Sequence, residues 1–193
     1  MLKKFVLMSL MLSTAVFPVS ALEFMTSMRE FSDKSVKKGS IGKGISQADK
    51  GDVTAQLFMA ECYEKGIGVS ADLKEALRYL NDALGSGDPR AHFLMGCFLM
   101  QGKGVAKDFV KAIEHFRTAA AMKLWRAQYN LGILLFQGYP GVAPNPIEGY
   151  SWVLRSLRQK GDRELEAKAK TALKEFEKTM KPDDVNKAKD LQN

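Results

Sequence analysis

Histidine and cysteine are scarce: two of each stand in 193 residues, His92, His115, Cys62 and Cys97. No group of them has the spacing of a zinc site, and no Asp-rich loop offers the oxygen ligands of calcium. Glycine is present, yet "GIGVSADLK" at residues 66–74 carries no G-K-[ST], so a phosphate-cradling loop is not supported. These gaps leave no metal and no cofactor to expect. Long apolar runs are lacking too. The one at the N-terminus, "FVLMSLMLSTAV", is about 12 residues against the roughly 20 that a membrane-spanning helix needs, so no stable membrane insertion is expected.

That short run has a different reading. "MLKK" supplies a positive start, the apolar run follows, and Val19-Ser20-Ala21 are small residues suited to signal peptidase. Residues 1–21 therefore read as a signal peptide cleaved after Ala21. The mature chain is expected to be exported, most naturally to a bacterial periplasm, with secretion also open. No cysteine lies near the cut, which excludes lipid attachment to one there. Without Lys3 and Lys4 the formal charge of +7 falls to +5. Such a mild, dispersed excess reads as a solvated surface rather than a nucleic-acid site. In an oxidising compartment Cys62 and Cys97 are a possible disulfide. They fall in successive repeats but one residue out of register, about 100° of helix rotation, so two separately buried thiols are the other reading.

What the chain has in abundance is self-similarity. Gly66, Gly102 and Gly138 stand 36 residues apart, and Gly68 and Gly104 keep that step. The third copy carries one extra residue, "GYPGV" for "GxGV". Eleven residues before each first glycine stand Ala55, Ala91 and Ala127; then Met59-Ala60, Met95-Gly96 and Leu131-Gly132; then Tyr63, Leu99 and Leu135. These offsets trace one helical stripe, with small residues where another backbone must come close. A second stripe follows each loop: Ala76, Tyr79, Leu80, Ala83, Leu84; Ala112, His115, Phe116, Ala119, Ala120; Gly149, Trp152, Val153, Ser156, Leu157. Asp72, Asp108 and Asn145 stand where a short acceptor would cap each second helix. The pairs Asp72 with Glu75 and Asn145 with Glu148 have capping-box spacing. "GD" at 51–52, 87–88 and 161–162 would end one helix and cap the next.

The pattern A-x-x-x-L-G-x-x-Y-x-x-G-x-G-V-x-x-D-x-x-K-A-x-x-W-Y-x-x-A-A resembles the Sel-one-like repeat, a relative of the tetratricopeptide repeat. "MGCFLMQGKGVAKDFVKAIEHFRTAA" in copy two is close to it; copy one has Ala60 for the usual Gly, and copy three has Gly149 and Ser156 for Ala. The expected fold is all-α, a short α-solenoid of about three helix–turn–helix repeats with a C-terminal capping helix. The expected divisions are a signal peptide (1–21), an N-terminal segment with a degenerate repeat (22–50), repeats at 51–87, 88–123 and 124–161, and capping helices at 162–193. Within 22–50, "EFMTSMREF" suggests a helix, "KKGSIGKG" a flexible turn, and "ISQADKGD" the end of an earlier repeat.

The resemblance implies binding rather than catalysis. Cysteine-rich secreted relatives have been described as penicillin-binding, and Ser35 with Lys38, and Ser40 with Lys43, have S-x-x-K spacing. Neither pair is expected to open an apolar helix, and no K-T-G or S-D-N follows in a suitable context. The chain also lacks the Cys pair per repeat of those relatives. It is expected not to be an enzyme. In a helical solenoid the first helices line a concave surface, and the expected partner there is another protein or peptide. Candidate binding residues are Phe58, Phe93, Arg90, Arg126, His92 and Tyr129, aromatics and arginines being common at binding hot spots. Phe58 and Phe93 have an alternative role, packing against the neighbouring repeat. The resemblance implies an envelope adaptor, or an immunity protein that neutralises a secreted effector; a cell-wall or β-lactam hydrolase is the third and least favoured reading.

Overall fold

The computed structural model describes residues 40–158 and 162–191. Among these, the helices run α1 Ser40–Asp49, α2 Val53–Lys65, α3 Leu73–Leu84, α4 Pro89–Gln101, α5 Phe109–Ala121, α6 Trp125–Gln137, α7 Pro146–Ser156, α8 Arg163–Glu177 and α9 Pro182–Asp190. The signal-peptide reading, the "EFMTSMREF" helix, and Ser35 with Lys38 lie outside the described residues.

Each repeat is a hairpin of two helices, α2 with α3, α4 with α5 and α6 with α7, and the hairpins stack in chain order. The expected caps form. Asp52, Asp72, Asp88, Asp108 and Asn145 each accept from a backbone N–H in the first turn of the following helix. Each such cap contributes about 1 kcal/mol. The loops repeat a second device: the amides of Asp72, Asp108 and Asn145 donate back to the carbonyls of Tyr63, Leu99 and Leu135. That bond pins the start of each second helix to the end of its first. The extra residue of the third loop is absorbed where Tyr139 and Val142 exchange backbone bonds of 2.9 and 2.7 Å.

Residues 40–44 differ from the flexible turn expected over 37–44, because α1 begins at Ser40. Gly42 and Gly44 are poor helix formers, but Ile41, Gly44 and Ala48 form a buried stripe against α2. Packing on a neighbour overrides the weak local preference. Ser40 consequently starts a helix, but an amphipathic and not an apolar one, and Lys43 on it is exposed.

The small residues of the two stripes meet across each hairpin. A Cβ on Gly96 would lie 2.8 Å from the Phe116 ring. In the third repeat Gly132 and Gly149 face each other: a Cβ on either would come within 2.7 Å of the other's carbonyl oxygen. Two buried clusters result. One runs from Ile41 through the first two repeats to Leu135, and the other joins Tyr129, Ile133, Tyr150 and Val153 to α8 and α9. In α8 the buried positions are Leu165, Ala169, Leu173 and Phe176, one face of a cap whose other side is largely exposed. Phe176 stacks on Phe136 with ring centroids 3.5 Å apart.

One junction breaks the pattern. Where Gly51 and Gly87 take positive φ before a capping Asp, the start of the third repeat has Lys123 at φ 65 and Leu124, which makes no side-chain cap bond. A left-handed conformation costs a non-glycine residue about 1–2 kcal/mol. Lys123→Gly is therefore expected to raise stability by about 1 kcal/mol. Gly132→Ala is expected to lower it by about 1–3 kcal/mol through overpacking. Urea-unfolding midpoints measure both, and an unchanged midpoint for Gly132→Ala would contradict the close-approach account.

Candidate interaction surface

The first helices are enclosed on nearly every side, which changes the role of the expected binding residues. Phe58 is 5% exposed and Phe93 1%. Phe58 lies against Gly44 of α1, while Phe93 tilts against Phe116 with centroids 5.7 Å apart. The two are not equivalent positions: Phe93 matches Leu57 and Tyr129, and Phe58 matches Leu94 and Asn130. Tyr129 is buried in the C-terminal cluster. None of these three rings is placed to anchor a partner without the repeats coming apart.

Arg90 and Arg126 occupy the same repeat position and act as braces. Arg90 grips Asp88, with Nη2 2.7 Å from Oδ2, and reaches Thr54 of the preceding repeat at 3.3 Å. The third repeat has Leu124 where Asp88 would be, so Arg126 reaches forward instead, donating to Asp162 at 3.1 Å. Asp162 also caps α8, so one carboxylate ties the last repeat to its cap. Arg126 is buried and Arg90 half-buried.

His92 is the odd one among its equivalents. Gln56 and Gln128 each donate Nε2 to a carbonyl eight residues upstream, Ala48 and Ala120, both at 3.2 Å. His92 turns to His115 of α5 instead, with Nδ1 atoms 3.1 Å apart. Both rings are half-buried, and burial pushes both pKa values down.

Cys62 and Cys97 are free thiols. Burial pushes each up to about 12, with Glu61 adding to the effect at Cys62 and Glu64 at Cys97. Their surroundings differ as the one-residue slip implies. Cys62 sits beside the Glu61–Lys65 pair of 2.6 Å, and Cys97 beside Glu64, which pairs with Lys103.

Solvent still reaches part of Tyr63 on α2, of Trp125 and Phe136 on α6, and of one tryptophan on a second helix. Trp152 of α7 is partly exposed, and the Arg155 guanidinium lies over its ring, 4.7 Å from the centroid. Its indole N–H donates to Glu148 Oε1 at 3.2 Å. Arg117 of α5 donates to both oxygens of Glu148, the Nη2–Oε2 distance being 3.1 Å, and holds that carboxyl below its ordinary range. Arg155 also donates to the Leu191 carbonyl beyond α9. The ridge thus joins the second repeat, the third repeat and the cap. Sequence reasoning placed Trp152 in a core stripe, read Glu148 only as a capping-box partner of Asn145, and passed over Arg117 and Arg155. A Trp with Arg three residues on, where the other copies have Tyr79 and His115, was the available signal.

Among the described residues no cluster of three or more His, Cys, Asp or Glu is arranged to hold a metal ion, and no helix is long and apolar enough to cross a membrane. The family model of the Sel1 repeat matches residues 53–87, 89–124 and 125–160, more than half of the chain. The chain belongs to the Sel1 repeat family. Its structure is similar to that of a Sel1 repeat protein from Oxalobacter formigenes, at 32% identity and a TM-score of 0.59, covering 69% of this chain and 96% of that one. It is also similar to a protective antigen present in uropathogenic Escherichia coli strains and displaying an SLR fold. There the identity is 31% and the TM-score 0.67, over 78% of this chain and 32% of the antigen. The chain therefore spans about a third of the antigen's length. No curated protein matches it. Sel1 repeat proteins are generally protein-interaction scaffolds.

With both thiols raised by burial, little thiolate is available at pH 8, and the thiolate is the reacting form. A disulfide-exchange reagent is expected to label Cys62 and Cys97 of the folded protein roughly a hundredfold more slowly than a free cysteine. Both are expected to label at once in urea. Fewer than two thiols per chain in urea without reductant would mean that they are joined.

Proposed function

We propose that this Sel1 repeat chain is an exported adaptor of the bacterial envelope that holds one protein or peptide. Export rests on the signal-peptide reading of residues 1–21 and binding on the family's general role. The observation that carries the choice of surface is the partial exposure of Trp152 beneath Arg155, next to Arg117, whereas Phe58, Phe93 and Tyr129 are buried. A rigid ring flanked by guanidinium groups offers apolar area and directed donors at low entropic cost, the usual make-up of a binding hot spot. Arg90 and His92, half-buried on α4, extend the candidates to the first helices.

No catalytic step belongs to this reading. Lys43 lies exposed on α1, where nothing buries it into a nucleophile's base.

The test is retention of a stoichiometric partner from native envelope extract by the wild-type chain, compared with the Trp152→Ala/Arg155→Ala double variant. The partner's dissociation constant is expected to rise by at least tenfold, since each hot-spot truncation costs about 2 kcal/mol. A Lys111→Ala control should leave it unchanged. Equal retention by the double variant overturns the surface. N-terminal sequencing of the cell-derived protein checks export: a start at Leu22 supports it, and an uncleaved Met1 refutes it.

A further inference from the structure

His92 and His115 come from different helices of one hairpin, 23 residues apart, and meet Nδ1 to Nδ1 at 3.1 Å. Their ring centroids are 5.2 Å apart and the planes cross at 39°. The contact replaces a structural brace. At the position of His92 the first and third repeats have Gln56 and Gln128, each bonded to the carbonyl eight residues back. At the position of His115 they have Tyr79 and Trp152, each under an arginine. The second repeat gives up both arrangements and sets two imidazoles edge to edge.

Two nitrogens at that separation match the bite of one metal ion. An ion about 2.0–2.1 Å from each, the usual imidazole distance, would subtend roughly 100° between them. That angle falls between the right angle of tetragonal copper(II) and the tetrahedral angle of zinc(II). Both rings are half-buried, so water can reach the ion and complete its coordination. The neighbouring Glu114 carboxylate opposes the effect of burial on His115.

We infer that His92 and His115 form a two-imidazole, water-completed site for a divalent transition ion, with copper(II) held more tightly than zinc(II). In the ion-free protein one Nδ1 carries a proton and donates it to the other. On binding, that proton leaves for solvent and Nε2 of the same ring takes one up, so both Nδ1 lone pairs face the ion with no net proton release. The bound ion would clip α4 to α5 within the second repeat, leaving the Trp152 ridge untouched.

The chain's own repeats supply the variants. His92→Gln and His115→Tyr install the residues that the first repeat uses at these positions, so the hairpin keeps a side chain already compatible with the fold. Full-length protein without a histidine tag is titrated with copper(II) chloride and with zinc(II) chloride by calorimetry. Thermal midpoints and copper electron paramagnetic resonance are recorded alongside. The wild type is expected to bind one copper(II) per chain, to show two nitrogen ligands in the resonance spectrum, and to rise in thermal midpoint. Each variant is expected to fold normally and to lose at least about tenfold in affinity. If His92→Gln binds copper(II) as the wild type does, the ion sits elsewhere and the proposal fails. If the wild type shows no saturable binding of either ion, it fails as well. Should a variant unfold, the resonance spectrum of the wild type still decides, since a spectrum without two imidazole nitrogens refutes the site.

Discussion

The closest constraint in the molecule is the approach of the two helices within each hairpin. Where the stripes cross, only a small residue fits: Ala60 and Ala76 in the first repeat, Gly96 and Ala112 in the second, Gly132 and Gly149 in the third. With the backbones this near, the rings on either side fill the remaining space, Phe93 against Phe116 in one hairpin and Tyr63 against Tyr79 in another. The amide-to-carbonyl tie at the start of each second helix works only because the loop has so little distance to cover. Caps, loops and stacking follow from that one contact.

A strict repeat makes departures informative. Gln56 and Gln128 do the same thing, and His92 does not. Asp52, Asp88 and Asp162 cap helices, and Leu124 does not. The second departure has a visible consequence: an arginine that elsewhere pairs within its repeat must reach to the next element, and in doing so it secures the cap. Each copy serves as the internal control for the others, which a single-domain fold does not provide.

The helices, their caps and the repeat boundaries were legible because they rest on local spacing. Gly87-Asp88 punctuates a helix wherever it stands, and stripes at three and four residues betray a buried face. The enclosure of the first helices was less legible. One stripe reveals one covered face, but α4 lies between α3 and α5, so residues off the stripe such as Phe93 and Leu94 are covered as well. The helix over Ser40–Asp49 was hidden because its glycines argue against it and its support comes from α2. The Arg117–Glu148 pair spans 31 residues, and the reach of Arg155 to Leu191 spans 36. No local pattern encodes such distances.

Helix α6 belongs to both apolar clusters. Leu131, Leu134 and Leu135 join the first two repeats, whereas Tyr129 and Ile133 join α8 and α9. In a simple stacked array, each unit feels only its nearest neighbours and can fray from either end. Here a single helix serves as a party wall between two rooms, so loosening one room strips support from the other. The C-terminal helices are thus a second buttress on the same wall, and truncating the chain before residue 162 would expose the far side of the whole stack.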